Sequence, residues 1–177
     1  MKYQNKLIQA NRLLKEIQPY CKKVEIVGDL RRRCDEVFSI DVLAVSRADQ
    51  VFDLFGNEVS CDPKINEWMD SCGYRFWKNG AKYKLFQWDD VWVNLYLTSI
   101  YQWGLQLAIR TGCKFFSQWL VTPKSNGGAL PPEMCVRDGW VWIRHTKITT
   151  LTEPDFFKAI ETEWIRPELR TADVWRG

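Results

Sequence analysis

Histidine is almost missing from this chain of 177 residues: His145 stands alone. Six cysteines are present but no CxxC spacing occurs, so no Cys/His set with the spacing of a zinc site can be assembled. The even cysteine count permits three disulfides, yet nothing else points to secretion. The opening Met1-Lys2-Tyr3-Gln4-Asn5-Lys6 starts no apolar leader. Free thiols in a reducing cytoplasm are expected. No apolar run approaches the roughly 18 residues of a membrane span, so no membrane partner is expected. Repeats and low-complexity tracts are lacking too. Hydrophobic residues make up 46% and aromatic ones 14%, with ten Trp, which excludes a disordered chain. A net charge of +3 permits a nucleic-acid partner without requiring one.

Against that background one stretch stands out. Val24-Glu25-Ile26-Val27 reads as a strand, Gly28-Asp29-Leu30-Arg31-Arg32-Arg33 as an arginine-rich glycine turn, and Phe38 to Val45 as a second strand. The second strand carries Ile40, Val42, Leu43 and Val45 around the carboxylate of Asp41. A buried strand has little reason to hold an Asp unless it is paired, hydrogen-bonded or metal-bound. Gly28 lets the backbone approach a ligand, and the arginines beside it suit phosphate oxygens.

Elsewhere the pattern is ordinary. Leu7, Ala10, Leu14 and Ile17 give a helix over 5–18 that Pro19 closes. Residues 48–56 read as a short amphipathic segment with a glycine stop, and 62–72 as a helix. Strands are expected at Tyr74 to Lys78 and Tyr83 to Trp88 about an Asn79-Gly80 turn. After a turn at Asp89-Asp90, Val91 to Leu97 alternates, with Trp92, Asn94 and Tyr96 on one face. Residues 122–130 look like a subdomain boundary, which predicts two units, 1–122 and 123–177. Beyond it come a hairpin about Asp138-Gly139 and a capping-box helix start at Thr152-Glu153-Pro154-Asp155.

Gly28, Arg31, Arg32 and Asp41 are in register with a pattern of the polymerase β-like nucleotidyltransferases, specifically family X DNA polymerases: Gly-Ser-x-Arg-Arg, then Asp-x-Asp on the next strand. Thr111-Gly112 resembles the family's sugar-binding segment, with Ile109 and Arg110 in place of its aromatic pair, as in the short bacterial and phage branch. Trp164-Ile165-Arg166-Pro167-Glu168-Leu169-Arg170 resembles the C-terminal thumb signature. The resemblance runs from about residue 7 to residue 170. It implies an α/β fold in α+β layout: a nucleotidyltransferase palm with a mixed sheet and flanking helices, plus a small C-terminal thumb, without the lyase-type and fingers segments of larger members.

The resemblance also implies where chemistry would sit. The family holds two Mg²⁺ or Mn²⁺ ions on three carboxylates, which here fall on Ser39, Asp41 and Asn94, so Asp41 alone keeps a metal-binding charge. Asp29 stands where the family offers a serine to the triphosphate. Gly28, Asp29, Arg31, Arg32, Thr111 and Gly112 become nucleotide or phosphate contacts. Arg33, Lys114, Lys124, Arg166 and Arg170 become nucleic-acid contacts in a palm–thumb groove, and the Trp content offers stacking surfaces for unpaired bases. Two lost charges beside a divalent ion cost several kcal/mol. The expected protein is therefore a catalytically impaired, monomeric, cytoplasmic relative that binds gapped or primed DNA, or RNA, with a nucleoside triphosphate as a further candidate ligand. The alternatives are an active transferase, rebuilt through Asp35, Glu36, Asp89 or Asp90 or disabled by substitution at 39 and 94, and a protein-interaction module on the same scaffold.

Overall fold

The computed structural model describes residues 3–47, 51–52, 58–59 and 64–175, and at 51–52 and 58–59 the backbone only. Helix α1 (Tyr3–Ile17) leads through a 3-10 turn at Gln18–Tyr20 into β1 (Cys21–Ile26). After the one-and-a-half-turn helix α2 (Gly28–Arg32) come β2 (Ser39–Ser46), the two-residue strands β3 (Val51–Phe52) and β4 (Glu58–Val59), and helix α3 (Lys64–Cys72). Then follow β5 (Phe76–Asn79), β6 (Tyr83–Trp88), β7 (Val91–Leu97), α4 (Trp103–Thr111) and α5 (Lys114–Val121). The chain finishes with β8 (Met134–Arg137), β9 (Trp140–Ile143), β10 (Thr146–Ile148), α6 (Glu153–Ala159) and α7 (Ala172–Trp175). The architecture is mixed α and β. A five-stranded sheet runs β1-β2-β7-β6-β5, and β8 to β10 form a separate antiparallel sheet.

Within the large sheet, β2 and β7 are parallel and the other neighbours antiparallel. Strand periodicity sorts the two faces. Ile40, Val42 and Ala44 of β2 and Val91, Val93 and Leu95 of β7 are buried with Ala10, Leu13 and Ile17 of α1 and Ile65, Trp68 and Met69 of α3. On the opposite face, Leu43 and Val45 are covered by Trp103 and Leu107 of α4. Ser39 and Asp41 share that second face but lie toward the other end of β2 (at its amino end), and this places a polar row beside an apolar one.

A further apolar cluster joins Leu105 and Ala108 of α4 to Phe116 and Leu120 of α5, Ala129, Leu130, Val141, and Phe156, Phe157 and Ile160 of α6. Helix α4 thus serves both cores, and the stretch 122–130 exposes residues 124–127 while Ala129 and Leu130 are buried. Several expected elements shift slightly. Asn79 is the last residue of β5, and the Gly80 N–H donates to Tyr83 O (2.9 Å), so the loop turns over 80–82. Of the segment expected at 48–56, Val51–Phe52 form a strand; the rest lies outside the described residues. The capping box is present, Thr152 Oγ1 accepting from the Asp155 N–H and the Asp155 carboxylate from the Thr152 N–H. The five described cysteines are free. Among the described residues no helix is long and apolar enough to cross a membrane.

Candidate functional site

The parallel ladder sets Asp41 of β2 directly beside Asn94 of β7, and the strand period sets Ser39 on the same face. The sequence-predicted trio therefore meets, and its members saturate one another. Ser39 Oγ donates to Asp41 Oδ1 (2.9 Å), and Asn94 Nδ2 donates to the same oxygen (2.7 Å) and lies 3.1 Å from Ser39 Oγ. On its other side Asn94 Oδ1 accepts from the Tyr83 hydroxyl (2.6 Å). An ionised carboxylate can only accept, so Asp41 itself fixes which way the Asn94 amide faces: nitrogen inward, oxygen toward Tyr83.

Gly28 closes the remaining side. Its φ of +62° is left-handed, and a Cβ there would come 2.2 Å from Asp41 Oδ2. The Val27 N–H also donates to Asp41 O (2.8 Å), tying the turn to the strand. Burial pushes the Asp41 carboxyl above its ordinary value, with hydrogen bonds from Asn94 and Ser39 pulling partly the other way. Burial first, and then the charge of Asp41, push the Tyr96 hydroxyl up to about 12.

Mg²⁺ and Mn²⁺ want several hard oxygen ligands, preferably anionic. Here one carboxylate is present, the serine proton points at it, and the asparagine presents an NH₂ donor toward the position a cation would take. The side chains do not fit a divalent cation. Three of the four acids expected as replacements are placed elsewhere. Asp89 forms an ion pair with Arg12 of α1, while Asp35 and Glu36 line a different cleft.

That cleft, of about 530 Å³, holds the predicted phosphate contacts Asp29, Arg32 and Arg33. Its walls carry five carboxylates (Asp29, Asp35, Glu36, Glu168, Asp173) against those two guanidiniums, a balance that disfavours a triphosphate. Arg32 is engaged by Asp29 and by Thr111 O. Arg33 caps α2 in left-handed backbone and pairs with Glu168 (3.3 Å) on the surface.

Arg31 and Arg170 converge on one carboxylate, that of Glu153. Arg31 Nη1 and Nη2 reach Glu153 Oε1 and Oε2 (2.8 and 3.1 Å), and Nη1 also donates to Thr111 Oγ1 (2.6 Å). Arg170 is 0% exposed, and its Nη1 donates to Glu153 Oε1 (2.6 Å). Trp164 Nε1 completes the set on Oε2 (2.8 Å). Burial alone would push the Glu153 carboxyl up, but hydrogen bonds and charge from Arg31 and Arg170 prevail and hold it at about 2. A fully buried Arg170 has no surface to offer a phosphate, and Arg31 is committed to the same acid.

Thr111 and Gly112, the expected sugar contacts, sit against the same arginines and α5. Thr111 is fully buried, its hydroxyl and carbonyl spent on Arg31 and Arg32. Gly112 has an ordinary φ of −68° and is small for a steric reason, since a Cβ would lie 2.2 Å from Phe116 Cδ1. Of the expected nucleic-acid contacts, Lys114 and Arg166 are exposed and Lys124 faces Glu161 (3.7 Å).

What lies open instead is aromatic. Trp92, which pairs with Ser39 across the ladder, extends the face of the Ser39–Asp41–Asn94 row, and its ring meets Trp77 edge-on at 5.7 Å. Phe38, Trp77 and Trp92 are 76%, 68% and 42% exposed. Behind the row Tyr83 stacks on Tyr96 (5.2 Å), with Lys78 over the first ring and Arg110 over the second. Alternation along β7 was enough to turn Trp92 outward; nothing in the sequence paired it with Trp77. No protein-family model matches the chain, and no curated protein matches it.

Proposed function

We propose that this protein binds single-stranded nucleic acid on a palm-and-thumb scaffold of nucleotidyltransferase type, and that its transferase chemistry is silent. The observation that carries the reading is the open sheet face, where Trp77 and Trp92 stand exposed and in contact, with Lys78 on the same edge strand. Exposed aromatic residues of this size, set against cations, suit stacking of unpaired bases with neutralisation of the backbone between them. Two exposed indoles in contact on one sheet face are unusual for a surface with no partner. The silence follows from the Asn94 amide, whose nitrogen faces Asp41 where a transferase needs a cation.

Fluorescence anisotropy with labelled single-stranded DNA and RNA tests the binding half. Saturable binding that weakens with salt is expected, and Trp77→Ala or Trp92→Ala alone should lower affinity by roughly ten- to a hundredfold, at about 1–3 kcal/mol per stacked base. Absence of affinity at low salt, together with concentration-dependent self-association, would refute it and favour protein interaction. Primer extension with Mg²⁺ or Mn²⁺ tests the other half; incorporation by the native chain would refute silence.

A further inference from the structure

A second site lies where the chain crosses from one core to the other. The parallel strands β2 and β7 both end at Ser46 and Leu97, and a cavity of about 550 Å³ opens at those carboxyl ends. Its far wall is the tip of the β8–β9 hairpin, Asp138-Gly139. The volume falls within the roughly 300–1,000 Å³ of small-molecule sites, and crevices outside the carboxyl ends of parallel strands are where such sheets bind ligands.

The lining is cationic. Arg47, Lys82 and Arg110 face the cavity, and among the described residues Asp138 brings the one carboxylate there. Among the described residues none of the three cations has an ion-pair partner. Arg110 is half-buried and stacks over Tyr96 at 4.2 Å from the ring centroid, with its Nε buried and without a hydrogen-bond partner. Arg47 uses Nε on Cys21 O (3.0 Å), and no hydrogen bond of its terminal nitrogens is seen among the described residues. Cations left unpaired around a concavity concentrate positive potential inside it.

Neutral donors complete the wall. Gln102, Gln106 and Arg110 recur every four residues, one stripe along the α4 segment. Gln102 Nε2 donates to Asp138 O (3.2 Å), which fixes the hairpin tip to that stripe. The Gln102 and Gln106 amide nitrogens both lie 3.2 Å from where a Cβ on Gly139 would sit, so the two donors converge on the tip. Among the described residues the Gln106 side chain makes no hydrogen bond.

We propose that this cavity binds an oxyanion of the phosphate class, held by Arg110, Lys82 and Arg47 with Gln106 as a neutral donor. Guanidinium and amide donors in one concave wall match the several acceptor oxygens of a phosphate better than a single carboxylate. The phosphate belongs either to a free phosphorylated small molecule or to the backbone of a bound strand. The site lies at the other end of β7 from Trp92 and shares no lining residue with the Trp77–Trp92 pair, so pyrophosphate binding and aromatic stacking can be tested separately.

Calorimetric titration of the native chain with inorganic pyrophosphate tests the proposal, with Lys82→Gln, Arg110→Gln and Asp138→Asn beside it. Saturable one-to-one binding is expected. Lys82→Gln, at an exposed position where folding is not at issue, should weaken it about tenfold, the usual scale for one charged hydrogen bond. Arg110→Gln should weaken it further, Asp138→Asn should tighten it, and Trp77→Ala should leave it unchanged. If an oligonucleotide displaces pyrophosphate, and both cation variants lose oligonucleotide affinity, the phosphate is that of a strand. If the oligonucleotide binds without displacing it, the phosphate is that of a small molecule. No saturable binding, or binding indifferent to both Lys82→Gln and Arg110→Gln, overturns the proposal.

Discussion

Replacing Glu153 by glutamine should be among the most damaging single changes in this chain. The carboxylate is 3% exposed and accepts from Arg31, Arg170 and Trp164 at once. A carboxyl held at about 2 against its ordinary 4.5 prefers the ionised form by about 3 kcal/mol. The variant also turns an NH₂ toward N–H donors and strands Arg170, which is wholly buried; removing one partner of such a pair costs about 3–5 kcal/mol. At about 2–4 °C per kcal/mol for a chain of this size, the melting temperature should fall by roughly 6–20 °C. Thermal unfolding followed by circular dichroism at pH 7 reads this directly. Because the folded-state value lies below the unfolded one, the stabilisation is fully present above pH 4.5 and is lost as pH falls from there toward about 2. The gap between native and variant should therefore narrow over that window. A variant that melts with the native chain at pH 7, or a gap that stays constant into acid, would refute the assignment of Glu153 as the charge that ties α2 to the C-terminal segment.

Three further outcomes follow from the Asp41 row. Ser39→Asp with Asn94→Asp should create a cation site: Mn²⁺ should raise the variant's melting temperature and leave that of the native chain unmoved. Gly28→Ala should destabilise by at least about 2 kcal/mol in urea titration, since a left-handed φ of +62° costs roughly 1–3 kcal/mol for a residue with a Cβ before the contact with Asp41 Oδ2 is counted. Asp41→Asn should raise stability at neutral pH and not at pH 3. Burial lifts this carboxyl's folded-state value, so ionising it as pH rises erodes stability, and the neutral amide escapes that loss; equal effects at both pH values would show that ionisation of Asp41 does not matter.

The large sheet was legible because its strands are short β-branched runs with a clean period, and the odd carboxylate in β2 marked the site. Register did the rest: once Asp41 and Asn94 sit on parallel neighbours, their meeting is a matter of geometry. The roles of the arginines were not legible. Arg31 reads as phosphate-binding by its glycine turn, and Glu153 as a helix-start acid by its capping box. Their pairing spans 122 residues of sequence, and no local pattern encodes it. Gln102, Gln106 and Arg110 have helical spacing that is plain in the sequence, but spacing alone describes any solvated helix face. Only the approach of the Asp138-Gly139 tip turns that stripe into a wall.

Ser39 and Asn94 make best sense taken together. Three carboxylates on one sheet face need a cation to coexist, because like charges at such distances cannot all stay ionised without one. Ser39 and Asn94 each offer Asp41 a proton instead, and Tyr83 holds the asparagine in the orientation that does so. The pair turns a row that would demand a metal into one that satisfies itself. Changing one position alone would leave a carboxylate beside Asp41 with a single neutral donor between them. On this argument Ser39→Asp or Asn94→Asp singly should destabilise the fold in chelator more than wild type, and the double change more still, with Mn²⁺ reversing the loss most completely in the double variant. Additive losses that Mn²⁺ does not relieve would mean that the row is only a packing feature of the sheet.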